Sequence, residues 1–214
     1  MGKSSIIAAF KSDGFIPVYK QTIGCDFYEK NLEIRKETFV SLRVWDIGGQ
    51  SINSKNMEQY VGSSDVIFLV YDVTNPDSFA NLDDWLGSVK KFGKSQLIFL
   101  VANKIDLIIL RQITERKHEH FIAENDLSGG FQVSAKTGDN LVKAFYKVAG
   151  DAVGVHLSST ELAYHDSVVR AHIVKGGGEE EGRTAFADEI ERQDAEAERR
   201  KREGFLCSAA AHVA

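Results

Sequence analysis

Two short apolar runs dominate the pattern, Val66–Tyr71 and Leu97–Ala102. Each stops at polar residues, Asp72 after the first and Asn103-Lys104 after the second. Runs of this length with polar ends predict strands buried on both faces of a parallel sheet. Between them, Phe79, Leu82, Trp85, Leu86 and Val89 recur at helical spacing and predict a helix over Ser78–Phe92. Upstream, Leu42–Trp45 alternates weakly and predicts a strand paired with Phe27–Ile34 through a hairpin near Lys36-Glu37. Downstream, Thr114–Asn125 and Asp139–Gly154 predict helices, the second capped by Asp139 or Asn140, and Phe131–Val133 predicts a short last strand. Strands alternating with helices predict a three-layer α/β domain with a mostly parallel sheet.

The pattern weakens after Gly154. Residues 1–154 read as the domain, and 155–175 leave room for one docked helix over Ser158–Val174. Gly176-Gly177-Gly178 is a break. Residues 176–214 are expected to be a charged, flexible tail. Within it, Thr184–Glu203 could form a solvated helix, since Glu196 to Arg200 and Glu198 to Arg202 are favourable four-residue pairs. Phe186 and Ile190 are too few apolar residues to bury it.

Composition narrows the classes. The chain has 214 residues, 43% of them hydrophobic, enough for one domain and an appendage. Most of the net charge of −5 lies in Gly176–Glu203, leaving the rest near neutral. A neutral body argues against nucleic-acid binding, which needs a basic face. No apolar run approaches the roughly 20 residues that span a bilayer, and Ile6–Phe10 is too short for a signal peptide. Cys25 and Cys207 do not form a disulfide framework, which favours a reducing, cytoplasmic setting.

In open α/β sheets, ligands bind at the carboxyl ends of the strands. Four sets of residues are predicted there. Gly2-Lys3-Ser4-Ser5, ahead of the helical Ile6–Phe10, matches the end of the phosphate-loop pattern G-x-x-x-x-G-K-[ST]. Lys3 would reach the β- and γ-phosphates, Ser4 would ligate Mg²⁺, and N–H groups at the helix start would hold phosphate oxygens. Trp45-Asp46-Ile47-Gly48-Gly49-Gln50 could place Asp46 on Mg²⁺, Gly49 against the γ-phosphate, and Gln50 on the attacking water. Alternatively, it is a turn with a solvated Asp. Asn103-Lys104-Ile105-Asp106 offers Asp106 to guanine N1–H and the exocyclic amine. Adenine has neither donor there, and such mismatches discriminate by about 10⁴ in favourable cases. Asn103 would tie loops to the base and Lys104 would lie along it. Last, Ser134-Ala135-Lys136 would turn the Ala135 N–H toward guanine O6.

All four sets in this order resemble the small GTPases. Thr22 stands 19 residues after Lys3, where the family has its switch Thr over Mg²⁺ and γ-phosphate. Phe15 stands where the family places an aromatic against the base. Thr22-Ile23-Gly24-Cys25-Asp26-Phe27 resembles the Rab pattern Thr-Ile-Gly-Val-Asp-Phe, and Tyr71–Asn75 and Ser78-Phe79 also fit. Rab proteins mostly carry Trp-Asp-Thr-Ala-Gly-Gln-Glu, so Ile47, Gly48 and Ser51 depart from the pattern. These departures, with Val133–Asp139, look like the Rab-twenty-eight branch.

The resemblance implies a monomeric GTP/GDP- and Mg²⁺-binding switch. It would hydrolyse GTP with an activating protein's help, since no arginine in this chain is assigned as a finger. Exchange factor, activator and effectors would meet Ile23–Phe27 and Ile52–Tyr60. The branch implies vesicle or endosomal traffic, with a cytoplasmic or endosomal-surface location. Membrane association is open: Cys207 is eighth from the end, so the terminal lipidation pattern fails. Gly48 is expected to loosen the second switch. Two features of the family are missing ahead of Gly2, the early glycine of the phosphate loop and the strand that leads into it. In the family that strand lies between the strands predicted here at Leu42–Trp45 and Val66–Tyr71. Its loss is expected to leave rows of unpaired backbone groups. A misplaced start is the favoured explanation, with the missing strand encoded upstream. The alternative function is a nucleotide-free interaction module; an ATP-using enzyme is disfavoured by Asp106.

Overall fold

The computed structural model describes residues 1–11, 22–53, 56–93, 96–175 and 207–213. Strand β3 (Val66–Asp72) is buried at all seven positions. Its side chains alternate between two cores, as the period of two in a strand requires. Val66, Phe68 and Val70 face one core; Ile67, Leu69 and Tyr71 face the other. Strand β4 (Leu97–Asn103) repeats the arrangement beside it, with Phe99 and Val101 on the first face and Leu100 and Ala102 on the second. Burial on both faces is why these two runs are continuously apolar.

The first core is covered by α1 (Lys3–Phe10) and α6 (Leu141–Ala152). Phe10 stacks on Phe145 with ring centroids 3.9 Å apart. The second core is covered by α2 (Met57–Gly62), α4 (Leu82–Phe92) and α5 (Glu115–Asn125) through Met57, Val61, Leu82, Trp85, Leu86, Val89 and Phe121. This gives the three layers expected.

The hairpin of β1 (Cys25–Arg35) and β2 (Thr38–Ile47) turns at Lys36-Glu37, with Glu37 at φ 64°. The predicted Ser78–Phe92 helix is two helices, α3 (Pro76–Ala80) and α4, joined at Asn81. The start of α3 is set by Asn75, whose side chain accepts from the N–H groups of Asp77 and Ser78, with Pro76 in the first turn. Thr114 caps α5 through the N–H of Lys117. Asn140 precedes α6 but does not cap it; its side-chain amide instead donates to Gln132 O at 2.9 Å. The last short strand, β5, is Gly129–Gln132. Helix α7 (Ser159–Lys175) is held to the hairpin: Arg35 pairs with Glu161 at 2.7 Å, His165 Nε2 lies 3.2 Å from Ile34 O, and Tyr146 stacks on His165.

The centre of the sheet differs from expectation. The strand order is β1-β2-β6-β3-β4-β5, where β6 is Cys207–Val213. It runs parallel to β2 on one side and β3 on the other. The slot predicted to hold unpaired backbone therefore contains a strand, and these seven residues are not a free tail. All the rest of 176–214, including the helix considered over Thr184–Glu203, lies outside the described residues.

Candidate functional site

The carboxyl ends of β2, β3 and β4 and the start of α1 meet at one edge. Asp46, near the end of β2, is fully buried. Its Oδ2 accepts a very short hydrogen bond from Ser4 Oγ, and Thr22 Oγ1 lies 3.4 Å from it. The two hydroxyls are 2.8 Å apart. Asp46 Oδ1 is buried with no hydrogen-bond partner. Burial pushes this carboxyl above its ordinary pKa, against the opposing pull of Ser4, Lys3 and Thr22. Ser4, Thr22 and Asp46 thus form a cluster of hard oxygen donors with one carboxylate oxygen unused. Mg²⁺ takes few protein oxygens and leaves its other positions to phosphates and water, so this donor set fits it.

Lys3 is only 7% exposed. Burial lowers its pKa, and the attraction of Asp46 opposes that. Its ammonium lies 5.8 Å from the Trp85 ring centroid and 3.7 Å from where a side chain on Gly49 would begin. Gly49 therefore sits directly by the Lys3 ammonium. Gln50 is exposed next to it. Gly2 has φ 90°, and a Cβ there would stand 2.6 Å from Asn103 Nδ2, so both conformation and space call for glycine. Ser5 lies in the first turn of α1, where N–H groups have no partner within the helix.

Asn103 is 1% exposed and joins three segments. Its Nδ2 donates to Met1 O at 2.9 Å, its Oδ1 accepts from the Ala135 N–H at 3.1 Å, and its backbone oxygen accepts from the Val73 N–H. The Ala135 N–H, expected to aim at guanine O6, is thus held by Asn103 here. Ser134 donates to Asp106 Oδ1 at 2.6 Å and accepts from the Thr137 N–H at 3.1 Å. This fixes the Asp106 carboxylate beside Ala135. Lys104, at φ 66°, pairs with Asp72 at 2.5 Å. Burial alone would raise the Asp72 pKa, but hydrogen bonds from Lys104 and Thr74 outweigh it and hold the carboxyl below its ordinary value. Lys136 is exposed at the rim. Phe15 lies outside the described residues.

One cluster escaped the sequence reading. Phe27, Trp45 and Tyr60 form an aromatic row, with ring centroids 4.8 Å and 5.7 Å apart. It links the two expected switch segments across β2. Phe27 is 48% exposed and nearby Ile23 is 91% exposed. The three rings are far apart in sequence, so no local period reveals them.

The arrangement therefore has a carboxylate-and-hydroxyl corner, a buried lysine, and a separate polar pocket built on Asn103, Asp106, Ser134 and Ala135. The profile of the Ras family matches residues 1–181. The chain is 37% identical over 178 residues to the Ras-related protein Rab-28 of Caenorhabditis elegans, covering 81% of this chain and 71% of that protein. The motifs, the fold and these matches together place the chain in the Ras family of small GTPases, among those of Rab type.

Proposed function

We propose that this chain binds guanine nucleotides with Mg²⁺ and hydrolyses GTP to GDP and phosphate as a switch in vesicle and endosomal traffic. The observation that carries the reading is the Asp106 carboxylate, set by Ser134 next to the Asn103–Ala135 pair. A fixed acceptor there suits guanine N1–H and its exocyclic amine and leaves adenine unmatched. Guanine O6 would compete with Asn103 Oδ1 for the Ala135 N–H.

At the other end, Lys3, Ser5 and the α1 N-terminus would receive phosphate oxygens. Ser4, Thr22 and Asp46 would hold Mg²⁺, which when bound neutralises the charge that develops on the phosphates. Gln50, exposed beside Gly49, would orient the attacking water. The aromatic row of Phe27, Trp45 and Tyr60 would change its surroundings as Thr22 and Gly49 close on a γ-phosphate. That supports effectors, an exchange factor and an activating protein meeting Ile23–Phe27 and Ile52–Tyr60. The setting is the cytoplasm and the endosomal membrane surface.

The test is competition of GDP and ADP against a fluorescent GDP analogue, with Asp106→Ala compared with the unaltered chain. Guanine preference should fall by two or more orders of magnitude. An unchanged preference would refute the assignment. No binding of either nucleotide by the unaltered chain would favour an interaction module.

A further inference from the structure

The residues that follow Asp106 make a rigid, apolar tip. Ile108–Leu110 is one turn of 3-10 helix, closed by Leu110 N–H to Leu107 O at 3.0 Å and Arg111 N–H to Ile108 O at 3.3 Å. The N–H groups of Gln112 and Ile113 both donate to Val73 O, at 2.8 and 3.1 Å, and tie the returning leg to the chain just past β3. Ile105 on one side and Ile113 on the other pack into the second core. Between these anchors, Ile108 is 77% exposed, Ile109 98% and Leu110 59%. Single exposed apolar residues are ordinary, such as Tyr164 on α7, but three in succession on a held backbone are not.

Cations flank the tip. Arg111 follows Leu110 and reaches Glu115, 3.6 Å away, which brings the first turn of α5 alongside. That turn presents Arg116 and Lys117, both exposed. Lys136 is exposed on the neighbouring loop, two residues beyond the Ser134 that holds Asp106. Several nearby carboxylates are engaged within the protein: Asp72 by Lys104, Asp106 by Ser134, Glu115 by Arg111 and Asp139 by Thr137. Glu119 is exposed one turn further along α5.

Size and charge select the occupant. Three aliphatic side chains cover far less than the about 800 Å² per partner that a stable protein interface buries. The tip also lacks Trp and Tyr, which anchor such interfaces. In hydrocarbon, a convex aliphatic knob needs no shaped counterpart, and cations beside it meet anionic headgroups. We propose that Ile108–Leu110 inserts into a lipid bilayer, with Arg116, Lys117 and Lys136 resting on anionic headgroups. Insertion turns the Asp106 rim toward the membrane. It gives the membrane setting proposed above a contact surface, and it stands apart from the guanine reading because no nucleotide takes part. So small a knob binds reversibly and no more tightly than a single acyl chain, which needs roughly 0.1 mM lipid or more.

The experiment is co-sedimentation of the whole chain with vesicles, without nucleotide. One set is phosphatidylcholine alone and the other carries about 30% phosphatidylserine. The unaltered chain should bind the anionic set several-fold better, and about 0.5 M salt should remove most of that difference. Ile109→Ser should lower binding by about tenfold or more on either set, since it removes most of an aliphatic side chain's transfer from water. Arg116→Gln with Lys117→Gln should lower binding on the anionic set alone. Tyr164→Ser should bind as the unaltered chain does, which controls for the loss of any exposed apolar residue. Because Ile109 is almost wholly exposed, its variant should keep the melting temperature of the unaltered chain. No binding of the unaltered chain to either set overturns the proposal and leaves the tip to a protein partner. Undiminished binding by Ile109→Ser, or an equal loss in Tyr164→Ser, overturns the tip as the inserting element.

Discussion

His118 is 4% exposed, with its Nδ1 3.2 Å from the Tyr71 hydroxyl. Burial and then the nearby Arg111 charge lower its pKa to about 4, with Glu115 opposing. The unfolded chain binds a proton at this residue near its ordinary value of 6.5, and the folded chain does so only near 4. Between these values the unfolded state holds more protons, so stability rises with pH across the window and is lost as the solution is acidified through it. The full effect is on the order of 3 kcal/mol, at about 1.4 kcal/mol per pKa unit. Urea midpoints measured from pH 7 to pH 4 should fall steeply in the unaltered protein and less so in His118→Gln. Equal slopes would show that the histidine is not responsible. Nothing in the sequence marks this residue: it lies in a helix rich in charged neighbours, and only the packing of α5 against Tyr71 makes it a buried base. Asp46 and Asp106 were legible as candidates because one stands near the carboxyl end of β2 and the other just beyond that of β4, and strand ends at such an edge are where ligands bind.

At the level of elements, Gly48 works differently from its sequence expectation. Glycine was expected to loosen the second switch. Instead its N–H donates to Gly24 O at 2.8 Å, and a Cβ would stand 2.5 Å from Thr22 O and 3.2 Å from Gly24 O. The missing side chain lets the two switch segments touch, which helps keep Thr22 beside Ser4. Gly48→Ala should therefore overpack the contact and cost about 1–3 kcal/mol, read as a lower melting temperature. An unchanged or higher melting temperature would contradict this. β3 and β4 were found within a residue of their ends because burial on both faces leaves one reading. The split at Asn81 was missed because Phe79 and Leu82 keep helical spacing across it, although Asn75-Pro76 carried the start signal. β6 was missed for a stronger reason. Its alanines show neither alternation nor strand preference, and its conformation comes from neighbours more than a hundred residues away in the chain.

For the molecule as a whole, the candidate ligand spans segments from residue 2 to residue 136, so binding should stabilise the entire fold. With GDP and Mg²⁺ at about a hundred times the dissociation constant, the gain is about 2.7 kcal/mol. For a domain of this size that is a rise of roughly 5–10 °C in melting temperature. Chelating Mg²⁺ should reduce the rise and Asp106→Ala should abolish it; equal melting temperatures with and without ligand would argue against binding. Layering and the edge at which the candidate residues gather were readable from sequence, since they depend on local periods. The closure of the sheet was not, since it depends on which distant segment fits between two strands. That closure also fixes where Met1 and Val213 lie. Met1 O accepts a hydrogen bond from Asn103 and Val213 is in register with Asp46, so both residues sit at the rim where a ligand would enter. A bulky label attached at either residue would crowd that entrance, whereas the exposed Lys36-Glu37 turn, at the opposite rim, would carry one clear of it.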